Sequence, residues 1–359
     1  MNRRATITAA AADLFARQGF GGVSVEDIAH AVGVTPGALY RHFPGKEAVL
    51  SAVLHETVGG LLALIDSAAT LHDLMSETVA LALDRPGLLA TYVRERHRVE
   101  DAELRKKETR VRESWARVAD PRSGRMALRQ KAVIGALPVL TSKPLPVPRA
   151  RLEELLARAM IQVMECPLPD TSGRPPPSPR WRPSRGRREE ILAAALELFH
   201  ERGFAGASVD EIGRAAGLAG SGIYRYYTDK TEILIDAYER EGARVEVGAE
   251  NAVAEAADAA DALRRLTRSY VGVALSDVDL VVVTAREGFA LPEPERASLA
   301  RRAKHLRDLW VSVGAEVRPD LGEAEVHALV EASFPLINEV AQFGGSMDEA
   351  VALTLALFG

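Results

Sequence analysis

Apolar residues recur at helical spacing from the start of the chain. Ile7, Ala11, Leu14 and Phe15 stand at i, i+4, i+7 and i+8, which gathers them on one face of a helix. Gly19 follows as the expected C-terminal stop, with Phe20 just beyond as an apolar plug. Ser24 then reads as an N-cap, with Asp27 three residues on, and opens a short helix running through Val25, Ile28 and Val32 to Gly33. Val34-Thr35-Pro36 supplies a tight turn, a cap and a proline suited to the first helical position. A third short segment, Pro36 to Phe43, exposes Tyr40, Arg41 and His42 beside the small Gly37 and Ala38. Two short helices joined by a glycine-containing turn have the layout of a helix-turn-helix. Lys46 opens a long fourth helix.

The whole pattern then returns. Arg3 to Leu50 aligns without a gap on Arg187 to Leu234, with 20 of 48 positions identical. Ile7, Phe15, Gly19, Ser24, Ile28, Gly33, Tyr40, Arg41 and Lys46 recur as Ile191, Phe199, Gly203, Ser208, Ile212, Gly217, Tyr224, Arg225 and Lys230. In the second copy Ser208 and Glu211 make the full capping-box pattern. A duplicated module of about fifty residues therefore organises the chain. Fainter echoes, LRKKETRVRESW against LARRAKHLRDLW and GALPVL against ASFPLI, extend the repeat to two whole lobes, each a copied head and a diverged helical body.

Between the lobes lie seven prolines from Pro167 to Pro183, with several arginines. Proline removes backbone donors and disfavours helix before it, so this stretch reads as an extended linker. About 18 such residues, at ~3.1 Å each, reach about 55 Å. A proline-rich stretch also suits an aromatic-lined groove, the less common use.

Composition narrows the class. At 359 residues the chain is long enough for two or more domains. Hydrophobic residues at 47% and charged residues at 26% are globular values. With only 5% aromatics and abundant alanine and leucine, an all-α fold is expected. The single Cys166 excludes an intrachain disulfide framework, and with it a cytoplasmic location is expected. The basic tip and small-residue run at the start resemble a secretory signal, but Asp13 interrupts the run and the pattern recurs deep in the chain. The most apolar run, Val271 to Ala285, contains Asp277 and Asp279, so no membrane partner is expected.

A net charge of −5 gives no global pull toward nucleic acid, so charge must be read locally. The first head carries five basic against four acidic side chains from Arg3 to Leu50, and the second six against eight from Arg187 to Leu234. The first field is therefore kinder to DNA. Small residues at the start of the third segment permit close approach to base edges, while Tyr40, Arg41 and His42 have the reach for phosphates. A cation in a first helical turn opposes the macrodipole, so the repetition of Lys46 as Lys230 asks for an explanation, and a bound phosphate would be one.

These residues carry a resemblance. SVEDIAHAVGVTPGALYRHFPGKEAVL is similar to the DNA-binding signature of the tetracycline-repressor (TetR/AcrR) family of bacterial regulators, and SVDEIGRAAGLAGSGIYRYYTDKTEIL resembles it again. The resemblance implies two tandem lobes, with heads at 1–46 and 187–230, effector and dimerisation bodies at 47–166 and 231–359, and a linker at 167–186. It implies that Thr35, Pro36, Gly37 and Arg41 lie at or near bases and that Ser24, Tyr40, His42 and Lys46 hold phosphates. The matching positions are Ala219, Gly220, Ser221 and Arg225, then Ser208, Tyr224, Tyr226 and Lys230. Arg3, Arg4, Arg187 and Arg188 are weaker candidates for backbone or minor groove. The second copy departs where Ala219 replaces the capping threonine and glycines stand at 220 and 222, each costing about 1 kcal/mol of helix propensity.

The same resemblance implies a largely apolar small-molecule effector and closing helix pairs that dimerise as a four-helix bundle. The pairs are Met126 to Leu140 with Leu152 to Met164, and Glu323 to Val340 with Met347 to Phe358. Two lobes in one chain can pair with each other, with further association into a homodimer left open. Pocket candidates are Tyr92, His97 and Trp115 in the first lobe and Phe289, Trp310, Phe334 and Asn338 in the second, although core packing is the commoner role of an aromatic. Arg94-Glu95 and Arg286-Glu287 are either buried pairs at a pocket mouth or a solvated face. No cofactor or metal is expected.

The reading is a ligand-responsive operator-binding regulator, a repressor, working as an intrachain pseudo-dimer. Its alternative is a regulator with one working head, the first, acting as a two-chain dimer. An enzyme is the outside rival: the sequence has no metal-ligand cluster, phosphate-binding glycine loop or nucleophile elbow, and Gly220-Ser221-Gly222 lacks the required spacing.

Overall fold

The computed structural model describes residues 3–118, 125–138, 145–169 and 186–359. Among them are seventeen α-helices and no strand, as the composition predicts. The proline-rich linker from 170 to 185 and Leu140, the last residue of one expected closing helix, lie outside the described residues.

The first head is built from α1 (Arg3–Gln18), α2 (Val25–Ala31) and α3 (Pro36–Tyr40). Ile7, Ala11, Leu14 and Phe15 are buried, as their spacing requires. Gly19 and Gly33 close α1 and α2 at φ +68° and +67°, the left-handed region that glycine enters without penalty. Ser24 caps α2 in a reciprocal box that Asp27 completes as fully as a glutamate would. The first body follows as α4 (Lys46–Ser67), α5 (Leu71–Asp84), α6 (Pro86–Glu95), α7 (Ala102–Val118), α8 (Met126–Ala136) and α9 (Arg149–Glu165). By length and apolar character α4 matches a membrane span, yet Val49, Leu50, Val53, Leu54, Val58, Leu61 and Ile65 are all buried in the core.

The second head repeats the first with α10 (Arg187–Gly206), α11 (Val209–Ala215) and a turn of 3-10 helix over Gly220–Arg225. The kink inside α10 falls at Gly203, at φ +73°, the partner of Gly19 in the repeat. The third segment is where the copies part. Thr35 caps α3 through its hydroxyl, whereas Ala219 has no side-chain cap to give and the helix tightens to 3-10. The second body comprises α12 (Lys230–Ala254), α13 (Ala259–Ser276), α14 (Val278–Glu287), α15 (Glu293–Val317), α16 (Glu323–Gln342) and α17 (Met347–Leu355).

A single apolar core runs from the first head through both bodies, while the second head has a smaller core of its own around Ile191, Phe199, Ile212 and Tyr227. The bodies meet where α8 lies on α16. The approach is close at Gly135, where an added Cβ would stand 2.9 Å from Cβ of Glu339. Ion pairs border this seam: Arg125 with Glu349 at 2.7 Å, Arg151 with Glu325 at 2.6 Å and Arg96 with Glu339 at 2.9 Å. Behind it, buried Arg129 donates to the carbonyls of Met164 at 2.9 Å and Cys166 at 2.8 Å, satisfying the end of α9. The same burial raises the Cys166 thiol above its ordinary range, the reverse of a reactive cysteine.

Gly135→Leu should separate α8 from α16, because Glu339 is fixed at both its stem and its carboxylate. The expected loss is at least the ~1–3 kcal/mol of ordinary overpacking, read as a lowered urea midpoint.

Candidate nucleic-acid interface and its anchorage

In both heads the third segment presents one face to solvent. Tyr40 is 52% exposed and Tyr224 51%, among the few large apolar side chains left outside. Thr35, Gly37, Arg41 and His42 are exposed beside Tyr40, with Pro36 half-buried at the first helical position. A Cβ on Gly37 would meet nothing within 4 Å, so this surface is open. Ala219 and Arg225 are exposed in the second head, with Gly220 and Ser221 in the 3-10 turn. Tyr226 is half-buried against the second head's core and so is a poorer reacher than His42. Arg41 and Arg225 make no hydrogen bond or ion pair among the described residues.

Four of the other cations are occupied internally, in matching pairs, while Arg3 and Arg17 of the first head are exposed. Lys46 donates to the carbonyls of Phe20 and Val23, both at 2.8 Å, and sits 4.2 Å from the Phe20 ring centre. Lys230 donates to Phe204 at 2.8 Å and Ala207 at 3.0 Å, 4.5 Å from the Phe204 ring. Burial lowers both ammonium groups. Each lysine ties the turn after the first helix to the start of the fourth, so its repetition has a structural cause that needs no phosphate. Arg4 likewise donates to the His42 carbonyl at 2.9 Å and stacks on Phe43, and Arg188 to the Tyr226 carbonyl at 3.2 Å, stacking on Tyr227. Arg187 pairs with Glu190 at 2.8 Å. Ser24 and Ser208 each give their hydroxyl proton to the box carboxylate at 2.6 Å, which leaves them as caps first. What remains outward on the third segment is tyrosine and arginine, once per head.

The heads are anchored through the Arg-Glu pairs, which are buried and not a solvated face. Glu95, 3% exposed at the end of α6, accepts the Phe20 amide at 3.0 Å. Glu287 ends α14 in the same way, 4% exposed, and accepts the Phe204 amide. Burial raises its carboxyl, against the opposing pull of that amide and of Arg98 and Arg94. Arg98 joins the two: it pairs with Glu95 at 2.6 Å, lies 3.8 Å from Glu287 and donates to the Arg202 carbonyl at 3.1 Å. A side chain at Gly203 would collide with this guanidinium, 2.8 Å from its Cζ. Arg94 crosses in the same direction to the Arg286 carbonyl.

Several expected pocket residues serve this junction. Phe289 packs against the first head, where a Cβ on Gly19 would fall 2.6 Å from its ring, and it lines a cavity of about 630 Å³ at this junction. His97 stands 3.4 Å from Arg286, outside both body cavities; burial, with Arg286, Arg98, His200 and Arg96 around it, pushes its imidazole down to about 3. Trp310 is buried in contact with Phe334, ring centres 5.0 Å apart, and does not line a cavity. Tyr92 and Trp115 do line a first-body cavity of about 510 Å³, and Phe334 and Asn338 a second-body cavity of about 360 Å³. Sequence reading missed Lys131 in the first and Glu241 in the second. Glu241 is pushed up to about 7 by burial.

The family described as bacterial regulatory proteins, tetR family, has a sequence model that matches residues 7–53 and again 191–237. Both heads are tetR-family modules, in tandem in one chain. The fatty acid metabolism regulator protein of Bacillus subtilis (strain 168) is 29% identical over 98 residues, 27% of this chain and 50% of that protein. HTH-type transcriptional repressor KstR2 of Rhodococcus jostii (strain RHA1) is 35% identical over 82 residues, 21% of this chain and 40% of that one. The chain thus spans half or less of these curated relatives. A solved TetR-family transcriptional regulator from Bordetella parapertussis 12822 is 21% identical, with TM-score 0.45 over 48% of this chain and 93% of its own.

His97 supplies a pH test. An unfolded histidine takes up its proton near pH 6.5 and this one near 3, so below about 6.5 the unfolded state binds more protons. The stability is present above that pH and is lost as pH falls toward 3, by about 1.4 kcal/mol per unit from this residue. Urea titrations at descending pH should show this slope, and His97→Gln should flatten it.

Proposed function

We propose that this chain is a ligand-responsive transcriptional regulator, a repressor, that grips operator DNA with both heads of one polypeptide. The observation that carries the reading is the pair of outward faces: one exposed tyrosine and one unpaired arginine on the third segment of each head, on frames held by matching lysine and arginine contacts. Major-groove readers place a short helix against base edges while neighbouring side chains fix phosphates. The tetR-family match of both heads supports DNA binding, and the names of the two curated relatives, a metabolism regulator and a repressor, support transcriptional control.

On this reading residues 1–46 and 187–230 are the DNA-binding heads, 47–166 and 231–359 the effector and pairing bodies, and 167–186 the linker. The contact of α8 on α16, with α9 and α17 alongside, supports an intrachain pseudo-dimer. Such an arrangement presents two third helices to successive major grooves, about 34–36 Å apart. An effector held in a body shifts the population of head spacings, since α6 and α14 end on the carboxylates that hold the head turns.

A second reading is favoured by two departures of the second head, its 3-10 third segment and its acidic excess. There only the first head reads DNA, and two chains associate to make one operator complex.

The test combines solution mass with titration of a labelled duplex from the DNA upstream of the protein's own coding region. The pseudo-dimer predicts one chain per site, with Tyr40→Ala and Tyr224→Ala each weakening binding by about 1–3 kcal/mol. Arg41→Gln and Arg225→Gln should each reduce the log–log salt slope by about one. Two chains per site with only Tyr40 and Arg41 sensitive would establish the second reading.

A further inference from the structure

The two body cavities occupy corresponding places in a duplicated scaffold, yet their chemistry has opposite sign. The first is lined by Val58, Leu61, Leu128 and Ile134, and into this apolar lining it brings Lys131 and Trp115. Lys131 forms no hydrogen bond or ion pair among the described residues; its ammonium lies 4.6 Å from the Phe343 ring and 5.9 Å from that of Tyr92. Trp115 is fully buried and closes one wall, its Nε1–H without a partner among the described residues. One cationic donor thus stands in an apolar chamber without an acceptor of its own. The carboxylates that act on Lys131 are engaged elsewhere, Glu339 by Arg96 at 2.9 Å and Glu108 by the Tyr92 hydroxyl at 2.7 Å. Arg105 and Arg112 add positive charge at the exposed rim.

The second cavity inverts this. Its arginines are taken, Arg302 by Glu246 at 2.7 Å and Arg307 by Glu331 at 3.1 Å, and the group left inside is the carboxyl of Glu241. A carboxyl in that position repels a bound anion or must take up a proton first.

We propose that the first-body cavity binds an apolar ligand carrying one carboxylate, which Lys131 receives, and that the second-body cavity does not take it. This rests on the regulator reading for its consequence, not for its chemistry. The volume of about 510 Å³ lies in the ~300–1,000 Å³ range of small-molecule sites. Burial, and then Arg96, hold Lys131 down to about 8 in the empty site, against Glu339 and Glu108, so a carboxylate beside it restores the charge it is losing. Phe343 belongs to the second body and lines the first cavity, so an occupant there touches both halves of the chain.

The experiment is calorimetric titration of the full chain with decanoate, decanol and decylamine. The expected result is one decanoate per chain, with decylamine not competing for its site. Lys131→Met should weaken decanoate at least tenfold and leave decanol unchanged, and Glu241→Gln should leave decanoate as it was. In wild type the affinity for decanoate should fall as pH rises through about 8, and that fall should vanish in Lys131→Met. The proposal is overturned if decanoate does not bind, if Lys131→Met leaves its affinity intact in a chain with a native melting curve, or if Glu241→Gln affects it equally. A parallel duplex titration separates the two claims. Decanoate binding without any DNA binding refutes the regulator reading alone, and DNA release by some other ligand with decanoate ignored refutes this inference alone.

Discussion

The arrangement of the two heads depends on one half-buried guanidinium. Arg98 stands between Glu95 and Glu287, the carboxylates that end α6 and α14, and each carboxylate receives the amide of the phenylalanine that follows a head's first helix. Two acids this close, both nearly excluded from water, repel unless a cation lies between them. With Arg98 in place, the turns of both heads are tied to each other as well as to their own bodies. Its guanidinium occupies the space that Gly203 leaves by having no side chain, so the glycine that kinks α10 also admits the clasp.

Duplication supplied two copies of this frame and then let them diverge where the frame was not needed. The lysine cradle, the arginine stacked on the aromatic before the fourth helix and the capping box repeat almost contact for contact. Outside it, Thr35 at one cap stands opposite Ala219 at the other, and the third segment is α-helical in the first head and 3-10 in the second. The cavities drifted further, to an unpaired ammonium in one body and a buried carboxyl in the other. One chain can then hold two unlike halves in fixed proportion, which a homodimer cannot.

The fold was legible in the sequence because its signals are local. Ile7 to Phe15, Ser24 and Gly19 act within a turn or two of themselves, so spacing alone places them. Exposure of Tyr40 and Tyr224 follows from the same periodicity. Lys46 was visible as an anomaly, a cation at a helix start, but its carbonyl partners come from a turn more than twenty residues earlier. His97, Phe289 and Trp310 were reasonable pocket aromatics by type; Phe289 lines a cavity at the junction, while tertiary placement sets His97 beside Arg286 and Trp310 in the core. Arg98, Lys131 and Glu241 carry no sequence signal, since each matters only for what the other parts of the chain bring beside it.

The account stands or falls on whether the heads of one chain are held at one separation. With Cys166 replaced by serine, spin labels at Glu26→Cys and Asp210→Cys would report it, both sites being exposed in the first turns of α2 and α11. Pulsed electron resonance on labelled chains diluted with unlabelled ones should give a single narrow distance, and Arg98→Met should broaden it. A broad distribution in the unsubstituted clasp, or a distance that disappears on dilution with unlabelled chains, would show that the heads are not fixed within one chain.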